Sequence, residues 1–210
     1  MKTSILSVLA ISIVLLSSCK KEKSASPSTL NYQFTASNTN TGLVQWTAGS
    51  ANVSSLTFGT SQSTTNDSST INKTVDLFAS ATTALGSLQV SAGTYSNPYL
   101  TLQLSSSSSV PSLHLTGTVT DGTTTLPVDV DLTDALKLQG TTSSSTLSSN
   151  SSYTAQFTLD LSALTQGLAF SDFSSATQSD NEVLISSSSN TAIYNTIENN
   201  IATALTMTIQ

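Results

Sequence analysis

Arginine is absent from this chain of 210 residues, and its six lysines are outnumbered by twelve carboxylates. A chain so poor in positive charge has no basic patch to hold phosphates, which argues against a nucleic-acid partner. The single cysteine excludes a disulfide framework and a cysteine-based zinc site. The single histidine leaves no histidine cluster and little acid–base chemistry. Neither G-x-x-x-x-G-K-S/T nor G-x-G-x-x-G occurs, so phosphate-cradling loops are unsupported. Only 9% of residues are charged, far below the usual ~25%. These gaps point to a non-enzymatic protein with no cofactor.

Serine (42) and threonine (35) fill much of the chain instead. Such a bias is compatible with disorder or with broad polar strand faces, and the order of the apolar residues decides between them.

The first nineteen residues have an order of their own. Lys2 is followed by an apolar run from Ile5 to Leu16, broken only by Ser7 and Ser12. Such a run is too short to span ~30 Å of hydrocarbon as a helix and reads as the h-region of a leader. It ends in Leu16-Ser17-Ser18-Cys19. This tetrapeptide resembles the lipobox of bacterial lipoproteins. The resemblance implies a signal peptide over 1–18, cleavage before Cys19, and acylation of that residue with diacylglyceryl and palmitate-type chains. It also implies that Lys20, in place of an aspartate, directs the chain to the outer membrane. The membrane, reached through the anchor on Cys19, is then the first partner. Residues 19–29 read as a lipidated tether and 30–210 as a single domain. From Leu30 onward two lysines face eleven carboxylates, a formal charge of −9, so nearly all positive charge sits at the anchor end.

The body is dominated by period two, the repeat of a half-buried strand. Leu30, Tyr32, Phe34 and Ala36 alternate with polar residues; so do Val44, Trp46 and Ala48. Val53, Leu56 and Phe58 slip phase by one, as at a bulge. Ile71, Val75 and Leu77 follow, then Leu88 and Val90, then Leu100, Leu102 and Leu104. A hairpin is expected over 112–132, turning at Asp121-Gly122. Tyr153 to Leu161 gives the last strong strand. The expected fold is all-β: an antiparallel sandwich of eight or nine strands. Ser162 to Leu168 reads as a turn of helix. Ile193, Ile197, Ile201 and Leu205 form the stripe of a short C-terminal helix, with Ser189 or Asn190 as N-cap.

The segments Val75-Asp76-Leu77, Leu85-Gly86, Leu88-x-Val90-x-Ala92-Gly93-x-Tyr95 and Leu100-x-Leu102 are similar to the strand–turn–strand core of prealbumin-like domains. Those domains occur in bacterial surface lipoproteins and some fimbrial subunits. The resemblance implies a sandwich with Tyr95 packed at its edge.

Candidate sites are few. Asp129 and Asp131 lie two apart on a strand, with Asp134 nearby, and are the weak candidates for a Ca²⁺ site. Because Val128, Val130 and Leu132 claim the core face, both aspartates should face water. His114 lies between Leu113 and Leu115, so it too should point outward, with no partner in the pattern. Asp160 reads the same way. Trp46, Tyr95, Tyr99 and Tyr153 could form a sugar-stacking platform, but Trp46 and Tyr153 fall in phase with the core. Tyr99 follows Asn97-Pro98 out of phase, and is the ligand-binding candidate. The expected role is that of a lipid-anchored envelope protein for surface interaction or adhesion. A glycan-binding module and a fimbrial-type subunit are the alternatives, so a glycan or another envelope protein is the expected second partner.

Overall fold

The structure is a computed structural model in which residues 26–38, 41–60 and 66–210 are described. The leader, the lipobox and Cys19 lie outside the described residues. The chain is an all-β sandwich with a C-terminal helix. Its strands run β1 (Ser28–Ser37), β2 (Val44–Thr60), β3 (Asp67–Asp76), β4 (Thr83–Val90), β5 (Gly93–Ser96), β6 (Pro98–Leu104), β7 (Leu113–Asp121) and β8 (Thr124–Leu132). They continue with β9 (Leu136–Thr141), β10 (Ser144–Leu147), β11 (Ser152–Asp160), β12 (Gln178–Ser179), β13 (Glu182–Ser186) and β14 (Leu205–Ile209). A 3₁₀ helix (Leu161–Thr165) and the helices α1 (Phe170–Ser174) and α2 (Thr191–Ala204) complete the described chain.

One sheet has the order β14-β11-β1-β4. The other runs β12-β13-β8-β7-β2-β6-β9, with β3 paired to β2; β5 and β10 form a separate ribbon. Pairing is antiparallel except for β1 with β11 and β8 with β13, which are parallel. Parallel neighbours need long crossovers, and here the crossovers are most of the intervening chain.

β2 organises the larger sheet. At Ser50 and Ala51 it pairs with β7 on one edge and β3 on the other. From Val53 to Phe58 it pairs with β6 and β3. The register slips between Trp46 and Ala48 and between Val53 and Ser55. The second slip is the bulge expected from the phase of Val53 and Leu56. The first corrects the expectation for Ala48. One extra residue at Thr47 reverses the alternation, so Ala48 is exposed and Ala51 is fully buried.

The core lies between the two sheets. Leu30, Tyr32, Phe34 and Phe157 come from the smaller one; Leu56, Leu100, Leu102, Leu113, Leu115 and Val130 come from the larger. Each such side chain, fully buried, contributes roughly 1.5–3 kcal/mol. Tyr32 stacks on Phe157 at 6.0 Å between centroids. Its hydroxyl crosses the core to donate to the Thr57 carbonyl at 2.8 Å, so the one polar tip at the centre is satisfied. Burial pushes that phenol well above its ordinary pKa. Trp46 is buried, and its indole N–H donates to the Leu161 carbonyl at 2.9 Å, tying β2 to the 3₁₀ helix.

Several expectations shift by a residue or more. β1 begins at Ser28, inside the segment read as tether, and Ser28 is fully buried with its hydroxyl on the Ser148 carbonyl. In the hairpin, Asp121 pairs with Thr124, so the central turn residues are Gly122 and Thr123, not Asp121 and Gly122. Gly122 has φ +57 while Thr123 is not left-handed, which suits a turn needing positive φ first. Helix α2 buries Ile193, Tyr194, Ile197, Ile201 and Ala204. Leu205, read as part of the stripe, instead opens β14. Asn190 occupies the N-cap position in a left-handed conformation, and its side chain does not cap. It bridges Thr177 and the Leu184 carbonyl. Among the described residues the strands number fourteen, against the eight or nine expected. β5, β10 and β12 have at most four residues, too few to show a period.

Gly117 sits opposite the first bulge of β2. A Cβ there would lie 2.5 Å from the Gln45 carbonyl oxygen and 3.0 Å from Trp46 Cα, both backbone atoms. Gly117→Ala should therefore lower the unfolding free energy by about 1–3 kcal/mol in denaturant titrations. Gly93→Ala, whose Cβ meets nothing closer than 4.0 Å, should be near neutral and serves as the control.

Candidate functional site

The β7–β8 hairpin presents its polar face outward. Leu113, Leu115, Val119, Val128, Val130 and Leu132 are buried, so His114, Asp129 and Asp131 are driven to the other side. That side is the one expected for all three. The expectation that His114 has no partner is overturned by the register, which sets it opposite Asp131. His114 Nδ1 lies 2.8 Å from Asp131 Oδ1 and 3.5 Å from Asp129 Oδ1. Their side chains are 35%, 48% and 28% exposed for His114, Asp131 and Asp129, so the group is neither buried nor fully solvated. One ligand atom from each lies within 4.8 Å of the others.

Asp134 does not join them. Its carboxylate accepts from the Tyr194 hydroxyl at 2.6 Å, and its carbonyl accepts from the Ser112 hydroxyl at 2.6 Å. It fastens α2 to the turn after β8. Burial and then Asp134 push the Tyr194 phenol up. Asp160, expected to be an idle surface charge, caps the 3₁₀ helix, accepting from the Ser162 N–H at 3.0 Å.

Ser50 is opposite His114 on β2 and Asp131 is opposite it on β8, so serine, histidine and aspartate share a row across three strands. A nucleophile must hydrogen-bond its base. Among the described residues Ser50 makes no such bond with His114, so the row is not a catalytic triad in this geometry.

The aromatic residues do not assemble into a platform. Trp46 is in the core. Tyr99 is half-buried rather than exposed; its hydroxyl donates to Asn66 Oδ1 at 2.9 Å, and Lys137 Nζ lies 5.7 Å from its ring centre. Tyr95 meets Phe58 edge-on at 5.0 Å, and its hydroxyl donates to the Ser91 carbonyl. Tyr153 is half-buried, in phase with the core only at its inner end, and its hydroxyl accepts the Ser148 N–H at 2.9 Å. An open groove of about 660 Å³ lies between α1 and the start of α2, lined by Leu168, Asp172, Thr177, Asn190 and Thr196. None of the candidate site residues, Asp129, Asp131, Asp134, His114 or Tyr99, lines it.

The partner of His114 was within reach of the sequence. A two-residue turn fixes the register of both arms, and a turn at Asp121-Gly122 would pair His114 with Asp129. The turn one residue later moves the pairing to Asp131 and keeps the same face.

No protein family matches the chain, and neither a curated protein nor a solved structure matches it.

The electrostatics of the row are directional. Burial pushes the Asp129 carboxyl up; His114 pulls it down, and Asp131 and Glu182 push it up again. The net effect is upward, so Asp129 takes a proton more readily folded than unfolded. Its charged form thus costs stability, a cost that appears as pH rises past its unfolded value of ~3.9 and vanishes in stronger acid. Asp129→Asn should raise the thermal midpoint at about pH 8 in buffer with a chelator, and the gain should shrink towards zero near about pH 3. A lower midpoint at the higher pH would contradict this account.

Proposed function

We propose that this chain is a lipid-anchored protein of the bacterial cell envelope, held at the outer membrane through Cys19, with a non-enzymatic role in surface interaction or adhesion. The observation that carries the reading is Leu16-Ser17-Ser18-Cys19 at the end of a short apolar run. Each buried CH₂ of an acyl chain contributes about 0.8 kcal/mol, and more than one chain makes attachment stable. The body at −9 and the lysines at 20, 21 and 23 support an arrangement in which the anchor end meets anionic lipid and the domain stands away from it. The outward faces support contact through neutral polar side chains: Asn31, Gln33 and Thr35 on β1, and Thr116, Thr118 and Thr120 on β7.

The glycan-binding alternative has less support. It calls for an exposed aromatic strip, and among the described residues the most uncovered large apolar side chain is Leu184, at 37% exposure. The subunit alternative rests on one feature. Among the described strands β14 pairs with β11 alone and forms an edge of its sheet, where an extended strand can add.

Expressed in a Gram-negative host fed labelled palmitate, the wild-type chain should take up label and sediment with outer membranes. Cys19→Ser should lose the label and appear in the soluble fraction. Label retained in Cys19→Ser, or a wild type that is never labelled, would remove the basis of the reading. Protease treatment of intact cells separates an outward-facing body, which is cut, from a periplasmic one, which is spared.

A further inference from the structure

We propose that His114, Asp129 and Asp131 form a binding site for a divalent first-row transition ion, of which zinc is the probe, on the outer face of the β7–β8 hairpin. The inference is independent of the lipid anchor.

Donor chemistry comes first. One imidazole nitrogen and two carboxylate oxygens suit zinc, manganese, cobalt or nickel. Calcium prefers oxygen donors throughout, so replacing Asp134 by His114 in the cluster changes the metal class from the one the aspartates alone suggest.

Geometry comes second. With metal–ligand bonds of about 2.0–2.2 Å, neighbouring ligands stand about 2.9 Å apart at right angles and about 3.4 Å apart at the tetrahedral angle. The two observed separations from Nδ1, 2.8 and 3.5 Å, bracket those edges. The third edge lies within 4.8 Å, and rotation of one carboxylate closes it.

Rigidity comes third. Donors stay in place only if their backbones do. Here the residues on either side of all three, Leu113, Leu115, Val128, Val130 and Leu132, are 0% exposed. The hairpin also lies within the sheet, between β2 and β13. The side chains are partly exposed, so an ion has an open route and water completes its coordination.

Charge comes last. Glu182 adds a third carboxylate on the neighbouring strand β13, within electrostatic reach of Asp129. The two lysines among the described residues are engaged elsewhere, Lys73 on the Ala84 carbonyl and Lys137 on the Tyr99 ring. Among the described residues the imidazole alone is paired with these carboxylates, so a bound cation gains from all of them.

The test uses the full chain purified in detergent and stripped with a chelator, titrated with zinc alone. His114 is the sole histidine, so its ring proton resonances identify themselves. One zinc per chain should bind saturably with micromolar affinity, shifting those resonances as it binds. Asp131→Asn and His114→Gln should each weaken uptake at least about tenfold while retaining the wild-type circular dichroism. Cys19→Ser should leave uptake unchanged, which excludes any unacylated thiol as the ligand. The proposal is overturned by any of three results: no saturable uptake, uptake lost in Cys19→Ser, or zinc binding that leaves the His114 resonances unmoved. Calcium shifting the same resonances at the same concentration would overturn the metal class. If a variant does not fold, the wild-type titration followed at His114 decides alone.

Discussion

The shape of the molecule depends on one strand being paired along both edges. β2 is long enough to serve two neighbours in succession on one side, β7 and then β6, while β3 covers part of the other. A flat strand could not do this, because sheet twist would carry its far end away from the first partner. The two bulges bend the strand and sharpen its local twist, which re-aims it from β7 to β6. The first also aims Trp46 at the Leu161 carbonyl, which fixes where the 3₁₀ helix sits, and with it α2. It presses the β2 backbone against Gly117 in the middle of β7. The hairpin carrying His114, Asp129 and Asp131 is thereby held against an unmoving neighbour.

The scarcity of charge acquires a meaning from where the few charges fall. Asp134, Asp160 and Asp172 are spent on structure, each accepting a hydrogen bond at a turn or helix end. Lys137 lies over the half-buried ring of Tyr99. Among the described residues, the concentration of charge that remains is the row on β7, β8 and β13, set in a field of threonine and serine. In a sheet face otherwise neutral, such a row dominates the local field over roughly a Debye length, about 8 Å at physiological salt.

Period two made the core faces legible. Leu30, Tyr32 and Phe34 on β1, Leu100, Leu102 and Leu104 on β6, and Val128, Val130 and Leu132 on β8 all point inward as their alternation requires. The failures have local causes. Ala48 kept the alternation of its neighbours in the sequence, but a bulged residue carries no side-chain signature, so the reversal at Thr47 was invisible. Leu205 continued the four-residue stripe of α2 although the backbone changes to strand there; an apolar residue fits both periods when only one repeat remains. The hairpin was recognised and its register missed by a residue, because Asp-Gly and Gly-Thr are both acceptable turns. Of the site, each residue's face follows from alternation, whereas which aspartate meets His114 follows only from the exact turn. Contact depends on register across strands, and alternation within a strand says nothing of that.

The parallel pairing of β1 with β11 has a consequence in time. β1 is an inner strand, and the partner on its β11 side is about 120 residues further along, as the Asn31–Ser152 contact shows. A chain appearing from its N-terminus cannot close the β1–β11 pairing until residue 160 has emerged, nor complete its smaller sheet until β14 follows. Contacts of such separation make folding slow, since closure entropy comes before any reward. The smaller sheet is thus the last part of the fold that the emerging chain can close. The rate at which the protein folds is set by the route of its chain and is indifferent to which hydroxyl residues decorate its surface.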